Sequence, residues 1–295
     1  MELLELLESR PLVVGDGAMG TRLIQQGMEP GTCGELWNLE SRGSVEQILH
    51  GYVEAGADFV ITNTFGANGV NCRRHGLEEM TGRINRAGVR VAREAAGDSA
   101  LVLGGLGPTG GMLEPFGDLT EEQVREAYRA QLDGLLDEGV DGIICETFEA
   151  AAELRQALIT ARELSDLPVL ASMKFTRAKN GEYRTMMGEG PEALAEAAAE
   201  CDCAAAGTNC VDGIAEAVQL TEKLAELLDV PVLVEPNAGT PQLHGAETHY
   251  PEGPDVFERH LPDLYQAGAR VIGGCCGTTA EHIRAIRRYA DSLEG

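Results

Sequence analysis

The chain has 295 residues, of which 43% are hydrophobic, 24% charged and only 4% aromatic. This composition supplies enough apolar material for a sizeable core and excludes a wholly disordered chain. The 23 basic and 48 acidic side chains leave a formal net charge of -25, which repels nucleic-acid phosphates and anionic lipid surfaces. We therefore expect a folded protein that binds neither nucleic acid nor membranes.

The N-terminus and the cysteine content predict a cytoplasmic protein. No apolar run approaches the roughly 20 residues that a membrane helix needs. The sequence MELLELLESR is acidic where a signal peptide carries basic residues. In a reducing compartment the 8 cysteines are expected to be free thiols, for which catalysis or metal binding is a commoner reason than a disulfide framework.

Short β-rich runs alternate with amphipathic stretches of helical length, at a spacing of about 37 residues, the size of one strand–helix unit. Several runs are almost continuously apolar, which is typical of strands covered by helices on both faces of a parallel sheet. Eight such units predict a single (β/α)8 barrel of the TIM type over residues 1–295, with its active site at the carboxyl ends of the strands. The predicted strands are Leu12–Ala18, Asp58–Thr64, Leu101–Pro108, Gly142–Phe148, Pro168–Phe175, Cys203–Cys210, Pro231–Gly239 and Ala269–Cys276.

Helix boundaries support this division. Ser44 and Thr120 each precede an acidic first turn and are predicted to begin helices. The segments EAGAD, DEGVD and QAGAR place Gly56, Gly139 and Gly268 at predicted helix ends directly before strands. These signals recur along the chain without an intervening linker, which favours one domain.

A doubly wound open sheet is the competing architecture. Residues 15–20 match the G-x-G-x-x-G pattern of dinucleotide-binding loops. Strand 2, however, ends in Thr-Asn-Thr rather than in the acidic residue that would bind a ribose. Eight strand units also fit a closed barrel better, so we interpret the match as coincidental.

Three thiols fall at the ends of predicted strands: Cys210 on strand 6, and Cys275 with Cys276 on strand 8. Zinc favours thiolate ligands in tetrahedral sites, and a catalytic zinc keeps one position open. Adjacent residues on a regular strand face opposite sides, so the pair can share a metal only where the backbone turns. Glycines on both sides of the pair allow such a turn. The alternative is that these thiols are small buried hydrophobes, the common role of free cysteine.

The ligand set itself indicates a type of reaction. Three thiolates already over-neutralise a divalent ion, so a fourth sulfur from a substrate would be deprotonated yet remain rich in electrons. Such a sulfur is suited to attack an electrophilic carbon. Activation of water requires a more positive zinc. The sequence therefore favours alkylation of a thiol over hydrolysis.

The chain resembles the homocysteine S-methyltransferase family. Within it the pattern is closest to the homocysteine-binding module of cobalamin-dependent methionine synthases and more distant from betaine–homocysteine methyltransferases. The resemblance extends from strand 1 to strand 8. It is carried by the motifs GDGAMGT (15–21), GADFVITNTFGAN (56–68), GGLGPTG (104–110), CETF (145–148), GTNC (207–210), EPNAG (235–239) and GGCCGT (273–278).

The resemblance implies a zinc-dependent enzyme that methylates homocysteine to methionine. It implies that Cys210, Cys275 and Cys276 bind the zinc and activate the substrate thiol through it. It also implies that Asn237 occupies the zinc before the substrate arrives.

The same resemblance implies a binding site for the amino-acid end of homocysteine. Asp16 and Glu146 would hold the amino group, and backbone N–H groups near Ala18 and Met19 would meet the carboxylate. This agrees with elementary chemistry, since an ammonium needs carboxylates and short loops donate N–H groups to anions.

The methyl donor is less defined. The sequence ends at Gly295, before any folate-, cobalamin- or reactivation module, so we expect a methyl-corrinoid protein to act as a separate chain. A small sulfonium or ammonium donor of the S-methylmethionine or betaine type is the alternative, and the acceptor could be selenocysteine instead of homocysteine. A cationic donor favours aromatic walls. The aromatic residues near the expected site are few, namely Trp37, Phe65, Phe148, Tyr183 and Tyr250.

Two other classes of function stay open. The chain could be a non-catalytic zinc- or thiol-binding component of a larger assembly. It could also be an aldolase-type barrel, which needs a lysine that forms a Schiff base, and Lys174 is the candidate at a strand end.

Overall fold

A computed structural model of the chain describes residues 2–245 and 247–294. Eight parallel strands form one nearly closed barrel surrounded by helices, as the sequence predicts. Hydrogen bonds connect the strands in the order β1-β8-β7-β6-β5-β4-β3-β2. The strands are β1 (Val13–Val14), β2 (Phe59–Ile61), β3 (Leu101–Leu106), β4 (Gly142–Phe148), β5 (Val169–Met173), β6 (Ala205–Asn209), β7 (Val232–Glu235) and β8 (Ala269–Ile272).

The helices cover the outside of the barrel and its amino-terminal end. None of those in the described part of the chain is long and apolar enough to cross a membrane. They are α1 (Leu3–Ser9), α2 (Gly20–Gln25), α3 (Trp37–Glu40), α4 (Arg42–Glu54), α5 (Gly69–Arg74), α6 (Thr81–Ala96), α7 (Glu121–Asp137), α8 (Ala151–Leu164), α9 (Pro191–Glu200), α10 (Ile214–Leu227), α11 (Pro254–Gln266) and α12 (Ala280–Glu294).

The strands are shorter than the apolar runs predict, and most of the difference lies at their carboxyl ends. β1 ends at Val14 rather than Ala18, and β7 ends at Glu235 rather than Gly239. The last residues of these runs leave the ladder and turn over the mouth of the barrel. The segments after β5 and β7 also contain two short antiparallel hairpins that the sequence analysis does not anticipate. These pair Thr176–Arg177 with Tyr183–Arg184 and Gln242–His244 with Glu247–His249.

Two apolar layers build the core. One lies between the strands and the surrounding helices. The other fills the barrel interior, where α1 closes the amino-terminal end with Leu3 and Leu6. The interior residues on the strands are Val13, Phe59, Leu103, Ile144, Leu170, Ala205, Leu233 and Val271. With its lower half filled, the barrel leaves space for a ligand only at the carboxyl edge.

Carboxylates help to close the barrel between β1 and β2, the two ends of the hydrogen-bonded order. The Asp58 N–H donates to the Val14 carbonyl at 2.7 Å, and the Val14 N–H donates to Asp58 Oδ2 at 2.8 Å. Nearer the mouth, the Ile61 N–H donates to Asp16 Oδ2 at 2.8 Å. Side-chain oxygens therefore take the place of strand partners at this seam, which fixes Asp16 at the carboxyl edge.

The predicted helix boundaries are mostly confirmed. Gly56, Gly139 and Gly268 have positive φ angles of 94°, 75° and 114°, as helix-terminating glycines often do. Thr120 caps α7. The prediction for Ser44 is wrong, because α4 begins at Arg42 and Ser44 lies inside it, its N–H bonded to the Ser41 carbonyl.

Replacement of Thr120 by Ala should lower the free energy of unfolding by about 1 kcal/mol. The Gln123 N–H donates to the Thr120 hydroxyl at 3.2 Å, and the Thr120 N–H donates to Gln123 Oε1 at 2.9 Å, so the substitution removes half of a capping box. Urea unfolding measures the difference. Ser44→Ala is the control and should change stability by less than about 0.5 kcal/mol; equal losses in the two variants would contradict this assignment of the caps.

Candidate metal and substrate site

Three sulfur atoms converge at the carboxyl edge of the barrel. The Sγ atoms of Cys210 and Cys276 are 3.9 Å apart, and those of Cys275 and Cys276 are 4.0 Å apart. All three lie within 4.8 Å of one another, and each side chain is half-buried. Among the described residues this is the one group of at least three His, Cys, Asp or Glu side chains placed to hold a metal ion.

The backbone around the thiols departs from strand geometry. Cys210 follows the last residue of β6 and has φ 60°, an unusual value for a residue with a side chain. Cys275 and Cys276 lie beyond the end of β8, where the Thr278 N–H donates to the Cys275 carbonyl and closes a turn. Gly277 has φ 82°. Because the backbone turns here, two consecutive side chains can point to one centre, as a metal site shared by Cys275 and Cys276 needs.

The spacing of the sulfurs fits zinc. Tetrahedral coordination with Zn–S bonds of about 2.3 Å places sulfurs about 3.8 Å apart, close to the distances between these thiols. Asn237 adjoins this cluster through the backbone, because the Cys275 N–H donates to the Pro236 carbonyl and the Ala238 N–H donates to the Cys276 carbonyl. Asn237 is 4% exposed and its Oδ1 has no hydrogen-bond partner, although Asn237 is not among the residues that line the cavity. A buried amide oxygen without a partner is unfavourable unless something binds it. The three thiols therefore fit a metal ion, and Asn237 is a candidate for a further ligand.

A second group of acidic side chains lies beside the thiols. Asp16 and Glu235 are 4% and 2% exposed, and Glu146 lines the same cavity. Asp16 uses Oδ2 to accept the Ile61 N–H, whereas Glu235 Oε1 has no hydrogen-bond partner. Three carboxyl groups close together, with neither lysine nor arginine among the lining residues, form a site for a cation, and an ammonium group has the required charge and donors.

Burial and mutual repulsion favour the neutral forms of these carboxyl groups. Burial, and then the charge of the Cys276 thiolate, raise the pKa of Glu146 to about 7. Burial, followed by the charges of Glu146 and Asp16, also raises the pKa of Glu235. The pKa of Asp16 is raised mainly by burial, although the hydrogen bond from Ile61 opposes this. Each group is therefore poised to ionise when a cation enters.

At Cys276, in contrast to the carboxyl groups, the charged form of the side chain is favoured. Hydrogen bonds from Cys210 and then Cys275 lower the pKa of the Cys276 thiol, and the Tyr250 hydroxyl adds a further one. Hydrogen bonds from its neighbours therefore favour the thiolate form of Cys276. Tyr250 reaches it across Gly277, where an added Cβ would lie 2.2 Å from the tyrosine ring.

One cavity of about 650 Å³ connects the two groups. Its lining includes the three cysteines, the carboxyl groups and the turn after β1. It continues outward to Glu35, Phe65 and His75 in the segments that follow β1 and β2. This volume exceeds that of a small amino acid, so a second reactant can approach through the outer part.

The turn after β1 offers N–H groups to the cavity, but one is already engaged. Ala18 and Met19 both line the cavity. The Ala18 N–H donates to the Thr278 hydroxyl at 3.0 Å, and the Ala18 carbonyl accepts from Tyr52. A ligand carboxylate at Ala18 would therefore share that N–H with Thr278, while Met19 directly precedes α2, whose first turn leaves N–H groups without partners inside the helix.

Other candidates lie away from this centre. Lys174 Nζ forms an ion pair of 3.1 Å with Glu149 and does not line the cavity, which does not favour a Schiff-base site. Cys145 is fully buried in the core between strands and helices. Cys201 and Cys203 lie between α9 and β6, at the amino-terminal ends of the strands. None of these thiols joins the cluster.

Sequence reasoning missed three groups near the site. Glu235 is a third carboxylate beside Asp16 and Glu146, and its position after the apolar run PVLV was the available signal. No pattern in the sequence indicates that Tyr250 bonds to Cys276 or that Ala18 bonds to Thr278. Each bond joins two segments that are distant in the chain and that only the fold brings together.

Stability should depend on pH through Glu146. Its carboxyl is protonated in the folded and unfolded chain below the ordinary pKa of 4.5, and ionises in the folded protein only near pH 7. The free energy of unfolding should therefore fall as pH rises between these values. Glu146→Gln should be more stable than the natural protein by about 3 kcal/mol at pH 8 and nearly equal to it at about pH 4.5.

Urea unfolding across this pH range, under identical metal conditions, measures the effect. Glu126→Gln, on the exposed face of α7, is the matched control and should follow the natural protein at every pH. A stability difference for Glu146→Gln that does not vary with pH would contradict the assignment.

Comparisons with known proteins agree with this arrangement. A sequence profile described as Homocysteine S-methyltransferase matches residues 13–290. The methionine synthase of Mycobacterium leprae is 34% identical over 97% of this chain, and that of Mycobacterium tuberculosis is 33% identical over 97% of it. The chain spans 25% of the length of each of these relatives.

A solved structure supports the same conclusion. The oxidized form of the homocysteine methyltransferase MmuM from Escherichia coli is 25% identical and has a TM-score of 0.80, with 97% of this chain and 99% of that chain covered. Its metallated form has a TM-score of 0.79 at 24% identity, with 96% and 98% covered, and shows the shared fold. Because the profile matches nearly the whole chain, the chain belongs to the homocysteine S-methyltransferase family.

Proposed function

We propose that the chain is a zinc-dependent homocysteine methyltransferase that forms methionine, with the barrel acting as one module over its whole length. The observation that carries this proposal is the convergence of three thiols on a cavity that also contains the carboxyl groups of Asp16, Glu146 and Glu235. Homocysteine presents a thiol at one end and an ammonium at the other, so it matches both groups at once.

The chain's own residues orient the substrate. Asp16, Glu146 and Glu235 receive the ammonium, which removes the repulsion among their charges. The turn at Ala18 and Met19 donates to the substrate carboxylate. These contacts direct the substrate sulfur to Cys210, Cys275 and Cys276, which line the same cavity.

A zinc ion held by Cys210, Cys275 and Cys276 would supply the chemistry of keeping the homocysteine sulfur deprotonated and nucleophilic. Asn237 would supply a further ligand through Oδ1 in the absence of substrate, a role supported by the lack of any hydrogen-bond partner for this buried oxygen. The cavity then admits the methyl donor from the solvent side.

A methyl-corrinoid protein acting on the barrel mouth is the donor that we propose. Eight large apolar side chains are exposed among the described residues, and five of them lie outside helices in segments that follow barrel strands. These five lie on the carboxyl side of the barrel, the side on which a partner protein would have to dock, and we refer to them together as the apolar rim. The rim residues are Phe65, Met112, Phe116, Met186 and Leu243.

A small sulfonium or ammonium donor is the second candidate, and the outer part of the cavity favours it. This region contains the buried carboxylate of Glu35 and the ring of Phe65, both of which attract cations. The Glu35 carboxylate is already engaged, however, since it accepts from the Gly66 N–H and the Cys33 thiol. Only Phe65 among the aromatic residues considered above lines the cavity, so we rank this donor second.

Replacement of Cys276 by Ala should reduce bound zinc to less than about a tenth of the natural content, because two thiols cannot complete the site. Elemental analysis after dialysis measures the metal, and circular dichroism should show an unchanged fold. Cys201→Ala, at the opposite end of the barrel, is the control and should keep its zinc. Full zinc in the Cys276→Ala protein would remove the proposed ligands.

Methionine formation tests the proposed reaction directly. Homocysteine is incubated with the zinc-loaded protein and with methylcobalamin, free or bound to a corrinoid protein, or with S-methylmethionine or betaine. We expect methionine from the corrinoid donors, and none from any donor with Cys276→Ala.

A variant of the apolar rim separates the two kinds of donor. Phe116→Ser, at a side chain that is 74% exposed, should slow the reaction with the methyl-corrinoid protein about tenfold. It should leave the reaction with free methylcobalamin unchanged. Binding of zinc and homocysteine without methionine from any donor would instead identify a non-catalytic binding module.

A further inference from the structure

Asn209 lies between the thiols and the carboxyl groups without being one of either. It is the last residue of β6, directly before Cys210, and its side chain is fully buried. Its Oδ1 accepts from the Thr147 N–H at 2.8 Å and from the Ser172 hydroxyl at 2.8 Å. Its Nδ2 donates to the Thr147 hydroxyl at 2.6 Å and approaches Cys275 Sγ at 3.9 Å. All the hydrogen-bonding positions of the amide are therefore used.

Two of these bonds hold an irregular part of β4. The pairing between β4 and β5 shifts register between Cys145 and Phe148, so the residues between them leave the regular ladder. Thr147 has φ 62°, which is strained for a residue with a branched side chain. Asn209 accepts its N–H and donates to its hydroxyl, and so takes the place of the missing strand partner.

This irregularity determines where Glu146 points. Side chains alternate between the two faces of a regular strand, so a bulge re-aims the residues at which it occurs. Glu146 and Thr147 both line the cavity although they are consecutive. If Thr147 relaxed to extended geometry, the two side chains would face opposite sides and the cavity would lose one of them.

The other side of the same amide faces the metal site. Nδ2 points an N–H toward Cys275 Sγ, and the backbone passes directly from Asn209 to Cys210, whose φ is 60°. Donors beside metal-binding groups orient them and adjust their charge. One side chain is thus in contact with the bulge that carries Glu146 and with Cys275, and its backbone continues directly into Cys210.

We propose that Asn209 is a positioning residue that couples the ammonium-binding carboxylate to the thiol cluster, so that both ends of the substrate are recognised as one unit. The proposal rests on the function proposed above. It assigns to Asn209 no contact with the substrate; it acts through Thr147 and Cys275.

Asn209→Ala tests this coupling, with Ser172→Ala as the matched control. The control removes one hydrogen bond to the same Oδ1 but leaves Thr147 and Cys275 bonded. We expect Asn209→Ala to weaken homocysteine binding about tenfold or more in calorimetry. With Co²⁺ in place of zinc, the sulfur-to-cobalt absorption band should shift. Ser172→Ala should lower the thermal midpoint with neither of the other effects, as a merely structural contact would.

Thr147→Gly keeps the proposal testable if Asn209→Ala does not fold. Glycine adopts a φ of 62° without strain, so the barrel should fold, but the hydroxyl that Asn209 holds is lost. We expect homocysteine binding to weaken about fivefold or more while the cobalt spectrum stays unchanged.

The proposal would be overturned if Asn209→Ala bound homocysteine as tightly as the natural protein does. If Asn209→Ala does not fold, the same result in Thr147→Gly would overturn it. Failure of the natural protein itself to bind zinc or homocysteine would overturn the proposed function instead. The two failures are therefore distinguishable.

Discussion

The convergence of three sulfur atoms at one edge of the barrel is the constraint on which the remaining structure depends. Thiols from β6 and from the segment after β8 approach within 4.8 Å only because the backbone leaves strand geometry at both places. Cys210 adopts a left-handed conformation, and the segment around Cys275 and Cys276 turns between glycines. Such conformations are unfavourable unless the surrounding structure fixes them. The nearly closed barrel supplies that rigidity, since β6 and β8 are each held by neighbouring strands on both sides.

Function and stability oppose each other in the cavity. Asp16 and Glu235 are buried and Glu146 is half-buried, and neither lysine nor arginine is among the residues lining the cavity. Burial raises the pKa of each carboxyl group, so ionising them weakens the folded state. The same unfavourable environment gives an arriving ammonium group a strong electrostatic preference for this site. The arrangement is one in which the substrate, rather than a residue of the chain, completes the charge balance.

The sequence was sufficient to predict the barrel and the thiol cluster, because each has a local signal. Apolar runs that end at helix-terminating glycines, such as Gly139, mark the strand–helix units, and two adjacent cysteines between glycines mark a turn. Glu235 and Asn209 could not be assigned in this way. Their roles depend on which strands face each other across the barrel and on a register shift in β4. The packing of Leu3 against the apolar residues of the barrel interior could not be predicted either. An amphipathic segment on its own does not reveal which surface it covers.

X-ray absorption at the zinc edge tests the central claim most directly, because it counts the atoms around the metal. The account predicts three sulfur neighbours and one nitrogen or oxygen neighbour in the protein alone. On addition of homocysteine it predicts four sulfur neighbours, as the substrate thiol replaces the amide oxygen of Asn237. Fewer than three sulfurs in the protein alone, or a sulfur count that homocysteine does not change, would contradict it.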